Sequence, residues 1–201
     1  PEDSGRRVLT TGGHYGYLKI AEGCDKHCTY CIIPSLRGRF RSVPQERLIA
    51  QAEHMAEQGV KELILVAQET TMYGTDLYGK KTLHLLMKEL CKIKGIRWIR
   101  VLYCYPEEMG RRTTRAQLTA TIEKLRKEIP DIVLRTTLIT GFPGETEEDH
   151  QELMEFVDEM EFDRLGAFTY SPEEGTPAET MEDQIPEEIK EERRDEIMEL
   201  Q

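Results

Sequence analysis

Apolar runs of strand length alternate with amphipathic stretches of helical period along almost all of this 201-residue chain, with no hairpin-turn signal between them. Strands are expected over 17–21, 62–67, 98–103, 132–139 and 165–170, and helices over 45–58, 83–91, 114–128, 147–160 and 185–201. The run ELILVA at 62–67 is continuously apolar, the pattern of a strand buried on both faces. The first helical stretch repeats Leu48, Ile49, Ala52, Met55 and Ala56 at helical spacing and stops at Gly59, and the third stops at Pro130. Such alternation reads as parallel β/α units, an α/β fold, in which chemistry gathers at the carboxyl ends of the strands. Five segments fall there: a cysteine-rich loop, then 68–71 (QETT), Tyr105 and Pro106, 141–145 (GFPGE) and 171–175 (SPEEG).

The cysteine loop reads GCDKHCTYC and sets Cys24, Cys28 and Cys31 in a C-x-x-x-C-x-x-C spacing. Three thiolates this close cannot pair off as disulfides, but they can wrap one metal cluster. A 4Fe–4S cube normally takes four thiolates, so three leave one iron with an open position where a ligand can bind and react. Structural zinc would ask for paired C-x-x-C knuckles or a further Cys/His pair, and the remaining cysteines, Cys91 and Cys104, do not supply one. Both are expected as small buried hydrophobes, and His27 as a solvated loop residue. The clustered, odd cysteine count suits a reducing compartment. With no long apolar stretch and no signal-peptide pattern, a cytoplasmic chain without membrane contact is expected. The net charge of −11 argues against direct nucleic-acid binding and would suit a basic protein partner. Arg37, Arg39 and Arg41 form a small basic cluster after the cysteines, either a docking patch or plain surface.

Loop, strand order and strand-end segments together resemble the radical S-adenosylmethionine (SAM) superfamily, and within it the methylthiotransferases. The segment YLKIAEGCDKHCTYCIIPSLRGRFRSVP (17–44) is similar to both well-known branches, which modify a tRNA adenosine or a ribosomal-protein aspartate. VAQETTMYGTDLYGKK (66–81) and FDRLGAFTYSPEEGTPA (162–178) resemble the ribosomal-protein branch more closely. The resemblance implies a partial (β/α)6 TIM-like barrel. It also implies that Cys24, Cys28 and Cys31 ligate a 4Fe–4S cluster whose unique iron is chelated by SAM, and that one electron breaks a carbon–sulfur bond of the sulfonium to leave a 5′-deoxyadenosyl radical. Tyr30 takes the family's aromatic position against adenine. Gln68 and Glu69 lie where an acceptor meets the SAM ammonium, though Glu69 could instead cap the next turn. Arg135 and Thr137 alternate on a strand from which the arginine could fork onto the SAM carboxylate or pair with an ordinary carboxylate. Gly141 would let adenine approach the strand end, or simply serve a strand-to-helix turn.

Set against that family, the sequence passes from YPEE directly to MGRRTTR, so one helix–strand unit is expected to be missing at about 108–110. The expected organisation is a linker over 1–16, a radical SAM core over 17–178, and a charged helix over 179–201 leading toward a substrate-recognition domain. The family's amino-terminal domain would hold a second 4Fe–4S cluster, and neither flanking domain is in this sequence. The function implied is the core of an enzyme that methylthiolates the β-carbon of an aspartate in small-subunit ribosomal protein twelve. It would take SAM as cofactor and an electron donor such as flavodoxin or ferredoxin. The alternatives are tRNA adenosine methylthiolation and a non-catalytic metal-cluster interaction module.

Overall fold

Residues 13–104 and 114–201 are described by the structure, a computed structural model. They divide into two units, one holding 13–27 with 33–104 and the other 28–32 with 114–201. The first unit runs β1 (Tyr15–Lys19), β2 (Ala21–Glu22), α1 (Ile33–Arg37), β3 (Arg41–Ser42), α2 (Gln45–Glu57), β4 (Glu62–Val66), α3 (Thr75–Tyr78), α4 (Leu83–Leu90) and β5 (Trp98–Val101). Three of its strands form a parallel sheet in the order β1-β4-β5, with Tyr17 opposite Ile64 and Ile64 opposite Arg100. The central strand buries Leu63, Ile64 and Leu65, as its continuous apolar run requires.

One face of this sheet carries Leu18, Leu63 and Leu65, and it shares a core with Leu48, Ala52 and Met55 of α2 and Leu86 and Leu90 of α4. Each large aliphatic side chain taken from water there contributes about 1.5–3 kcal/mol. The alternating residues Tyr17, Trp98 and Arg100 point to the other face and are exposed. The single strand expected over 17–21 is in fact two. Ile20 gives its N–H to Val66 O and accepts from Val43 N–H, so it hands the chain from the parallel sheet to an antiparallel β2–β3 pair. Cys91 and Cys104 are exposed rather than buried. Cys91 caps the end of α4 and Cys104 follows β5, so neither holds an inward position of its element.

The second unit runs α5 (Arg115–Glu128), β6 (Arg135–Thr140), α6 (Glu147–Met160), β7 (Arg164–Thr169), a 3-10 turn (Pro177–Thr180) and α7 (Glu187–Leu200). Thr114 and Thr146 open α5 and α6 with reciprocal capping boxes to Gln117 and Asp149. β6 begins three residues later than expected because Ile132 closes a turn onto Ile129 and Leu134 N–H is taken by the Asp163 carboxylate. β6 and β7 pair in parallel, Arg135 opposite Arg164 through Thr140 opposite Thr169. Ile122, Phe156 and Met160 form a small core with Leu118, Leu134 and Phe162. The charged helix α7 packs on β7, β6 and α6, burying Ile197 together with Lys190 and Arg193.

Among the described residues the longer strands thus form two parallel sheets, of three strands in the first unit and two in the second. The join expected near Glu108–Gly110 lies outside the described residues, as do Tyr105 and Pro106. No described helix is long and apolar enough to cross a membrane.

Candidate cofactor site

In the first unit the backbone holds the entry to the cysteine loop. Ala21 pairs with Ser42 and Glu22 with Arg41, so the returning chain lies alongside as the loop begins. Gly23 follows at φ +80°, and a Cβ placed there would lie 2.2 Å from Arg39 O. No other residue type fits that approach. Cys24 N–H then donates to Gly38 O at 3.1 Å, and the Asp25 carboxylate accepts from Phe40 N–H at 3.1 Å. Four successive residues, Glu22 to Asp25, are therefore set against 38–41 before the second cysteine is reached.

The segment after β4 supplies the polar groups that face this entry. Glu69 is 3% exposed. Its Oε1 accepts from the Thr71 N–H at 3.2 Å and from the Thr71 hydroxyl, and its Oε2 lies 3.0 Å from Lys26 Nζ. The capping alternative for Glu69 is thus present through Thr71, alongside an ion pair to the cysteine loop that the sequence reading did not include. Gln68 Nε2 donates to Glu22 Oε1 at 3.5 Å, while Gln68 Oε1 is buried with no hydrogen-bond partner among the described residues. A buried amide oxygen without a donor is a costly arrangement that a ligand N–H would relieve. Thr70 ties the segment to Tyr103 O through both its N–H, at 3.1 Å, and its hydroxyl, at 3.0 Å.

Cys28, Tyr30 and Cys31 belong to the second unit. Cys31 N–H donates to Cys28 O at 3.1 Å, and Thr29 O accepts from Ala178 N–H at 2.9 Å, which pins this half of the loop to the segment after β7. The Tyr30 ring meets Phe142 edge-on at 6.5 Å, and Phe142 meets Tyr170 at 5.3 Å. Tyr30 and the GFPGE turn are therefore neighbours through Phe142, which the sequence reading passed over. Gly141 lies in the turn from β6 to α6. At φ +71° its missing side chain leaves room for Lys190, whose Cγ would lie 2.2 Å from an added Cβ. The glycine thus admits a lysine stem from α7. Lys190 Nζ donates to Tyr170 O at 3.0 Å and to Glu187 at 3.1 Å.

Glu145 closes this turn. Its Oε2 accepts from Gly141 N–H at 2.9 Å and its Oε1 pairs with Arg193 at 2.8 Å. Arg135 and Thr137 share the exposed face of β6, and among the described residues Arg135 has no carboxylate partner. All five cysteines are free thiols, the three of the loop half-buried. Cys24 lies in the first unit and Cys28 and Cys31 in the second, and among the described residues no three His, Cys, Asp or Glu side chains are gathered to hold a metal ion. Gly23, Lys26, Phe142, Lys190 and Arg193 are the residues of these settings that the sequence reading missed. Gly23 alone carried a local signal, a glycine directly before the first cysteine.

Comparison with known proteins gives three findings. Residues 18–107 match the Radical SAM superfamily. The chain is 58% identical over 228 residues to the ribosomal protein uS12 methylthiotransferase RimO of Lachnoclostridium phytofermentans, spanning 97% of this chain and 52% of that protein. It is 50% identical over 229 residues to RimO of Clostridium botulinum, spanning 98% of this chain and 51% of that one. The chain thus spans about half the length of these relatives. Both matched spans exceed its 201 residues, so the relatives carry residues within the span that have no counterpart here. Among solved structures, the radical SAM methyltransferase TsrM of Kitasatospora setae aligns at a TM-score of 0.59 and 15% identity, covering 83% of this chain and 39% of that one. Methylornithine synthase PylB aligns at a TM-score of 0.50 and 14% identity, covering 92% and 62%. These two likenesses are of fold.

Proposed function

Because this chain belongs to the radical SAM methylthiotransferase family, we propose that it is the SAM-cleaving core of an enzyme that methylthiolates an aspartate β-carbon of ribosomal protein uS12. The observation that carries this reading is the 58% identity to a RimO along nearly the whole chain. The donor chemistry fits the cofactor: three half-buried cysteines outside any disulfide on one nine-residue loop, the first preceded by a glycine that only a close backbone approach explains. Cys24, Cys28 and Cys31 would hold a 4Fe–4S cluster. When bound, that cluster would supply one electron to the SAM sulfonium, drawn from a donor such as flavodoxin or ferredoxin.

The chain's own residues would bind and orient SAM. Glu69, buried and acceptor-only when ionised, would take the ammonium, and Gln68 Oε1 could accept a further ligand N–H. Tyr30 and Phe142 would offer an aromatic surface to adenine. Arg135, on the same face of β6 as Thr137, would meet the carboxylate with two parallel N–H bonds. A barrel lacking one helix–strand unit is supported by matched spans longer than the chain.

The test is anaerobic reconstitution with iron and sulfide, followed by dithionite, SAM and purified uS12. Stoichiometric iron and sulfide with release of 5′-deoxyadenosine is expected. Zinc in place of iron, or a reconstituted cluster without SAM cleavage, would defeat the catalytic reading. Cleavage accompanied by thiomethyl groups in tRNA adenosine and none in uS12 would defeat the choice of substrate.

A further inference from the structure

We propose that Lys26 is a resident counter-cation on Glu69 which the ammonium of SAM must displace, so that cofactor binding unties the cysteine loop from the end of β4. The inference rests on the reading of Glu69 as the ammonium acceptor and adds a positioning residue to it. A carboxylate that is 3% exposed needs a cationic partner in the absence of ligand, because an unpaired buried charge costs several kcal/mol. Thr71 gives Oε1 two neutral donors, and Lys26 Nζ lies 3.0 Å from Oε2.

The two partners are unequally committed to this contact. Lys26 keeps 30% of its side chain exposed and carries a strongly hydrated ammonium on a flexible stem, so its charged end can turn outward. Glu69 cannot leave. An incoming ammonium at Oε2 therefore replaces one positive charge by another, with the buried site neutral before and after. Lys26 sits midway between Cys24 and Cys28, so its release removes this tie between the loop that carries the cluster ligands and the end of β4.

The experiment uses the reconstituted chain with two ligands. One is SAM, and the other is methylthioadenosine, which lacks the amino-acid arm. Saturating SAM should raise the rate at which N-hydroxysuccinimide acetate labels Lys26, read by peptide mass spectrometry, while methylthioadenosine should leave it unchanged. In Lys26→Met the SAM affinity should rise about tenfold, the worth of one charge-assisted hydrogen bond no longer in competition. Methylthioadenosine affinity should stay constant. Lys26→Arg, which keeps the charge and grips the carboxylate with a fork, should bind SAM more weakly than the wild type. Bound SAM with unaltered Lys26 labelling, or equal SAM affinity in wild type and Lys26→Met, would overturn the exchange while leaving the radical SAM reading intact. A wild-type chain that takes up a cluster yet binds no SAM would overturn both.

Discussion

Two carboxylates, each just beyond a parallel strand, Glu69 buried and Glu145 half-buried, differ in what neutralises them. Glu69, after β4, faces a lysine that is 30% exposed. Glu145, after β6, faces Arg193, which is 8% exposed and also reaches Glu145 O and Glu147. The Gly141 N–H adds to Glu145, and α7 covers the turn with Lys190 lying in the space of the absent Gly141 side chain. One ion pair is built from a partner that can leave, the other from a partner packed on every side. The lesson is that a buried acid at a strand end is not by itself a ligand site. The mobility of its counter-ion separates an acceptor available for exchange from a structural clamp.

The sharpest way to break this contrast is to remove the fixed partner. Arg193→Met should destabilise the chain by about 3–5 kcal/mol in urea unfolding, because it removes a buried guanidinium that holds Glu145, its carbonyl and Glu147 together. Glu145→Gln in the same background should recover much of that loss. A milder loss from Arg193→Met would place Glu145 with Glu69 as a loosely held acid. Gly23→Ala comes next: its Cβ would meet Arg39 O and it must hold a left-handed φ, at a cost of about 1–3 kcal/mol before any clash. Iron bound per chain should fall to a small fraction of wild type, and normal iron content would show that Cys24 does not need this approach.

Lys26→Met should cost less than Arg193→Met, about 2–3 kcal/mol: it also leaves a buried carboxylate, but it removes one ammonium that is 30% exposed, whereas Arg193 bonds Glu145 O and Glu147 as well. Equal losses from the two would erase the distinction between an exchangeable and a fixed pair. The smallest effect belongs to the cap that follows Glu145. Thr146→Ala should cost about 1 kcal/mol by removing the acceptor at the head of α6. The Thr146 backbone and hydroxyl hydrogen bonds hold the Asp149 carboxyl below its usual range. Its stabilising share is therefore complete above the unfolded value of about 3.9 and is lost as pH falls through the folded one. The urea midpoint of wild type should exceed that of Asp149→Asn at pH 6, and the two should converge in strong acid.

The sequence reading reached the five longer helices within a residue or two at their ends, because hydrophobic period and caps such as Thr146–Asp149 are local, and it missed the short α1 and α3. It misplaced Cys91 and Cys104, since an apolar neighbourhood in sequence does not say whether a residue ends an element or faces inward. It read 17–21 as one strand because the switch at Ile20 depends on Val43 and Val66, which are distant in sequence.

What the sequence by itself determined is the order of β and α elements, the three-thiol loop, and which strand-end segments carry acids and glycines. Each follows from spacing along the chain. The tertiary structure alone decided that Lys26 meets Glu69, that Arg193 meets Glu145, that Lys190 fills the space at Gly141, and that Tyr30 lies against Phe142. With 27 lysines and arginines set among 38 carboxylates, many pairings are open to the chain. Packing of elements tens of residues apart selects among them, because each buried charge must find a partner where the backbone happens to bring one.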